Sequence, residues 1–184
     1  MVKNCLLHNR RECSKRLLIN NYKRKKEILI VYGFDWGSST DTPALIYEFI
    51  DNKIKPIGLK YGMDIKFQKL GSKEGSIYCG ICYAIQKADI AIFDISTHNL
   101  NVIFELGLAI GSGVYVYILK SRHQTHLRNS ISDLNGILEY RFTRRSGILI
   151  FDTDLQERLK YKIRLIAKSK LKDSKAYKYV IDKK

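Results

Sequence analysis

Residues Ala88–Lys120 read ADIAIFDISTHNLNVIFELGLAIGSGVYVYILK, an apolar run, a polar loop, an apolar segment of helical length and a second apolar run in direct succession. Strand, loop, helix and strand in that order are the repeating unit of a parallel α/β sheet. One residue is out of keeping. From Val102 to Ile110 the helix is Val-Ile-Phe-Glu-Leu-Gly-Leu-Ala-Ile, apolar on every face except for Glu105. A lone carboxylate in such a wall must be paired, opened to a cleft or kept for function, because burying an unpaired charge is expensive.

Upstream, Glu27–Tyr32 (EILIVY) has the apolar density of a buried strand and ends in the turn-rich loop Gly33–Asp41. Thr42-Pro43 opens a helix running through Ile50, with proline at a tolerated first-turn position. Met63–Leu70 alternates as a second strand before the loop Gly71–Gly75, and Ser76 is placed to cap a helix Ile77–Lys87. Asp89–Ile95 and Val114–Leu119 supply the third and fourth strands, Ile137–Phe142 a fifth, and Gly147–Phe151 extends or pairs with it. Asp152 is expected to cap a last amphipathic helix, Thr153–Lys170. Gly107 and Gly111 are read as allowing close helix–sheet packing.

At 184 residues and 45% hydrophobic content, the chain can bury the core of one α/β domain without disulfides or metals. It divides into a basic N-terminal extension (1–26), the α/β domain (27–170) and a basic C-terminal tail (171–184). No apolar run nears the roughly 20 residues that span a bilayer, and no secretory signal is visible, so a cytoplasmic protein without membrane attachment is expected. The formal net charge is +15. Residues 1–26 hold nine Lys/Arg and one acid, and residues 158–184 hold eleven and two, whereas 27–157 are slightly acidic. The basic ends are either solvated surface or a means of touching nucleic acid, anionic lipid or an acidic partner. Cys79-Gly-Ile-Cys82 imitates a redox pair but follows the start of its helix, so packing cysteines are the simpler reading. His98, His123 and His126 make no recognisable ligand set, and no metal site is expected.

Ligands of open parallel sheets bind beyond the carboxyl ends of the strands. Three loops emerge there: Gly33–Asp41, Gly71–Gly75 and Asp94–Asn101. With Asn101 as the expected N-cap, Glu105 lies one turn into its helix and close enough to look into the crevice. Two readings fit it. It is a nucleophile or stabiliser beside a sugar's anomeric carbon, or a first-turn glutamate that favours the helix dipole. Asp94 has a structural reading of its own, accepting loop amide hydrogen bonds.

Ala88-Asp89, Asp94-Ile95-Ser96, Asn99-x-Asn101-Val102 and Phe104-Glu105-Leu106-Gly107-x-Ala109 resemble the nucleoside 2-deoxyribosyltransferase-like and TIR-like proteins, over roughly residues 27–142. The resemblance implies a flavodoxin-like, doubly wound parallel sheet of about five strands. It puts the family's catalytic glutamate on Glu105. Gly33, Phe34, Asp35, Trp36, Asp94, Ser96, Asn99 and Asn101 are then the expected substrate-binding residues. The activity implied is an N-glycosidase splitting the base–ribose bond of NAD or a related nucleotide, with no cofactor required and an expected role in antiviral defence. A homo-oligomer or an assembly with a partner protein is expected. A 2-deoxyribosyltransferase and a non-catalytic nucleotide-binding signalling module are the alternatives. The transferases commonly carry an aspartate on the preceding helix, and Gly80-Ile81-Cys82 has no acid there, which favours hydrolysis.

Overall fold

In a computed structural model, the residues described are 26–35, 41–71, 77–122, 139–151 and 154–171, without the side chains of 77–79. Trp36, His123, His126, Ser76, Asp152 and nearly all of both basic ends lie outside them. The elements are β1 (Glu27–Gly33), α1 (Thr42–Phe49), α2 (Lys55–Lys60), β2 (Asp64–Lys69), α3 (Ile77–Lys87), β3 (Ile90–Asp94), α4 (Leu100–Gly111), β4 (Tyr115–Ser121), β5 (Glu139–Arg145), β6 (Ile148–Phe151) and α5 (Leu155–Leu171).

The strands form one sheet in the order β2-β1-β3-β4-β5-β6, parallel except for β6, which pairs antiparallel with β5. This is the flavodoxin-like order, with the topological switch between β1 and β3. The expected set of about five strands is thus the parallel part, and Ile148–Phe151 adds a sixth as a hairpin edge. Residues alternate across β1. Ile28, Ile30 and Tyr32 pack with α1, α2 and α5, while Leu29 and Val31 pack with α3 and α4. Helices cover both faces, and β1 and β3 are buried almost throughout.

A π-helical turn, Ile50–Ile54, joins α1 to α2. The Lys55 amide reaches back five residues to the Ile50 carbonyl, directly before Pro56. Proline has no amide to continue an α-helical ladder, so the wider turn absorbs the break and keeps Ile50, Ile54 and Ile57 on the core side. At the sheet's amino edge Asp89 accepts the Leu29 amide at 2.9 Å and the Lys170 ammonium at 2.7 Å. Asp89, the first aspartate of the motif region, therefore ties β1, β3 and α5 together, well away from the crevice.

Two expectations need correction. Asp154, whose carboxylate accepts the Glu157 amide at 3.1 Å, caps the last helix, which begins at Leu155. Gly107 and Gly111 face outward, where a Cβ would meet nothing within 4 Å among the described residues. Ala109, fully buried, makes the close approach to the sheet instead. An outward glycine in a helix interior only costs backbone entropy. Gly107→Ala should therefore raise the unfolding free energy by about 1 kcal/mol, read from urea denaturation midpoints.

Candidate functional site

The crevice lies over the carboxyl ends of β1 and β3. In the register Gly33 stands opposite Phe93, one residue before Asp94 ends β3. Gly33 is required by close approach. A Cβ there would come within 2.5 Å of Phe93 Cδ1 and 2.9 Å of Glu105 Oε2. The space a side chain would fill at the end of β1 is occupied by the Phe93 ring and the Glu105 carboxylate.

Asn99, not Asn101, caps α4. Its side-chain oxygen accepts the Asn101 amide at 2.9 Å, and the helix starts at Leu100. Glu105 is the sixth helical residue, in the second turn, out of reach of the unpaired amides that a first-turn acid would serve. The helix-dipole reading thus loses its geometry. Glu105 is 9% exposed and has no hydrogen-bond or ionic partner among the described residues. Burial alone pushes its pKa up to about 7.

The other expected residues divide by role. Asn99 also donates its side-chain amide to Asp35 at 2.9 Å, which joins the β1 loop to the start of α4. Asp94, buried, accepts the Ser96 amide at 2.9 Å, and the Ser96 hydroxyl accepts the Ser121 amide at 2.7 Å. Burial raises the Asp94 pKa and the Asp35 charge adds to this, while the Ser96 hydrogen bonds oppose the rise. Asn101 is exposed on the first turn of α4. Phe34, one of the expected substrate-binding residues, packs in the core at 8% exposed. Its ring stacks on Tyr32 at 5.0 Å, and Lys69 Nζ lies 5.4 Å from its centre.

Two residues missing from the expected set stand out. The Tyr32 hydroxyl and the Thr97 Oγ1 are buried with no hydrogen-bond partner among the described residues. Tyr32 precedes Gly33, and burial followed by the Asp94 charge holds its phenol well above the ordinary tyrosine range. A tyrosine inside a buried apolar strand always raises the question of its hydroxyl's partner, and that was the available signal. Cys82 is buried and accepts from Gln86 Nε2 at 3.0 Å, in keeping with a packing role. Among the described residues no three His, Cys, Asp or Glu side chains are grouped to hold a metal ion, and no helix is long and apolar enough to cross a membrane.

No protein-family model matches the chain, and no curated protein does. Among solved structures it is similar to a mutant of the flavo di-iron protein from Thermotoga maritima, at 17% identity and a TM-score of 0.40. That match covers 80% of this chain and 36% of the other.

Glu105 can be weighed as a structural or a functional group through its own titration. Its folded pKa, about 7, is above the ordinary 4.5, so between those values the folded state holds more protons than the unfolded chain. The Glu105 contribution to stability therefore falls as pH rises from 4.5 to about 7. Glu105→Gln removes that penalty. It should raise the melting temperature by about 5 °C at a pH above the folded value and change it little at a pH near the ordinary one, followed by calorimetry.

Proposed function

We propose that the protein is an N-glycosidase that cleaves the base–ribose bond of NAD or a related nucleotide, with Glu105 as nucleophile or stabiliser of the sugar cation. The observation that carries this reading is an unpartnered carboxylate, 9% exposed, set against Gly33 at the switch point of a parallel sheet. Such a group weakens the fold and makes chemical sense beside a developing positive charge.

The steps balance simply. The C–N bond breaks, its electron pair leaves with the base, and the anomeric carbon becomes electron-poor. The Glu105 carboxylate bonds to that carbon or stabilises it by charge until the oxygen of a water bonds there, freeing the carboxylate again; the water's proton goes to solvent when nicotinamide leaves neutral, or to the base when a neutral nucleoside is cleaved. The low-dielectric wall of Phe93 and α4 strengthens that attraction. The linked Asp35, Asn99, Asp94 and Ser96 set a hydrogen-bonding wall around the ribose hydroxyls, and Thr97 Oγ1 and Tyr32 OH are further polar atoms at the same sheet edge. Hydrolysis is favoured over base exchange by the absence of an acid at Gly80-Ile81-Cys82.

Incubation with NAD, NMN and common nucleosides, followed by chromatography of the released base, tests the reading. Release from none of them at high protein concentration overturns it. Glu105→Gln should lower release by roughly a thousandfold or more. Because the working form is the ionised one, kcat/KM should rise with pH and level off above about 7. Nucleotide-induced thermal stabilisation without turnover would instead support a nucleotide-binding module, for which the prebuilt Asp35–Asn99 wall is suited.

A further inference from the structure

The outer side of α4 is as free of charge as its inner side. Val102, Glu105, Leu106 and Ala109 are buried against the sheet, and at 3.6 residues per turn the opposite side holds Leu100, Phe104, Gly107 and Gly111. Leu100 is 82% exposed and Phe104 45%, while a Cβ on either glycine would meet nothing within 4 Å among the described residues. Glu105, on the buried side, is the only ionisable residue from Leu100 to Gly111. The other helices all carry charge outside the core, as Glu48 on α1, Lys60 on α2, Lys87 on α3 and Lys160 on α5.

The order of sizes along this stripe decides what fits it. Leu100, Phe104, Gly107 and Gly111 stand four, three and four residues apart, the spacing of a seam between two packed helices. Two large residues come first and two glycines last. When the helix is laid antiparallel on a copy of itself, about a two-fold axis between Glu105 and Leu106, Leu100 meets Gly111 of the second copy and Phe104 meets its Gly107. Each large side chain then enters the space that a glycine leaves, and symmetry makes every such contact twice. A parallel pair would set large on large at one end and leave a gap at the other. A glycine inside a helix is destabilising, and nothing described within one copy offsets it; a second helix brought close does.

We propose that the outer side of α4 is a self-association surface on which a second copy of this chain docks antiparallel, α4 on α4, as a two-fold dimer. Charge favours this meeting place, because two copies that each carry a formal +15 repel one another and α4 offers them a neutral strip. Area sets the strength. Twelve helical residues make a face about 18 Å long and ~10 Å wide, so each copy buries on the order of 300 Å². A standard stable interface buries roughly 800 Å² per partner, so the dimer is reversible, with a dissociation constant on the order of 100 μM. The inference is independent of the chemistry assigned to Glu105, which lies on the other side of the helix.

Sedimentation equilibrium of the full chain from ~10 to ~500 μM should show monomer passing to dimer, and raising salt from ~50 to ~500 mM should tighten the dimer severalfold by screening the repulsion. Leu100→Lys should abolish the dimer and leave the melting temperature of dilute protein within about 2 °C of the parent, since the side chain is exposed. Gly107→Ala, which stabilises the single copy, should weaken the dimer by about tenfold, an opposition of sign that a purely structural glycine would not give. Disulfide trapping reads the register. An equimolar mixture of Leu100→Cys and Gly111→Cys chains should yield the mixed disulfide, identified by peptide mass spectrometry, at least tenfold faster than either variant yields its own, because an antiparallel pair holds like thiols ~16 Å apart. A chain still monomeric at ~500 μM overturns the proposal and leaves the face to a partner of another sequence. A dimer that survives Leu100→Lys also overturns it, as does Leu100→Cys trapping with itself at the mixed rate, the mark of a parallel pair.

Discussion

The absence of a side chain at Gly33 is the constraint on which the crevice depends. Phe93 lies across the strand pair from it, and the Glu105 carboxylate fills the remaining space. A larger residue at the end of β1 would push at both the core ring and the acid, and α4 would have to move off the sheet. The desolvation that raises the Glu105 pKa therefore has a specific origin: close contact among a glycine, a phenylalanine and an apolar helix.

Much of this was legible in the chain itself. The uninterrupted apolar runs Ile28–Tyr32 and Ile90–Phe93 mark strands covered on both faces, which implies helices above and below. Glu105 was legible as an exception because every neighbour on its helix is apolar. That same uniformity hid the orientation of α4. A helix with no polar face gives no sign of which glycines point inward, so Gly107 and Gly111 were assigned to the sheet when Ala109 makes that contact.

The cap of α4 shows another limit. Asn99-Leu100-Asn101 offers two competent caps two residues apart, and local preference does not separate them. A tertiary bond does, since Asp35, sixty-four residues earlier, takes the Asn99 amide. Register-dependent facts were out of reach for the same reason. Neither the pairing of Gly33 with Phe93 nor the Asp89 tie to Lys170 can be seen before the strands are aligned.

Asn99 also sets how the crevice can move. Its side-chain oxygen holds the first turn of α4 and its nitrogen holds the loop after β1. Both groups belong to one planar amide, so a rotation that frees Asp35 also uncaps the helix. Opening of the mouth and fraying of the α4 terminus become a single cooperative event, and hydrogen exchange at the Asn101 amide is a direct gauge of how often the crevice admits solvent.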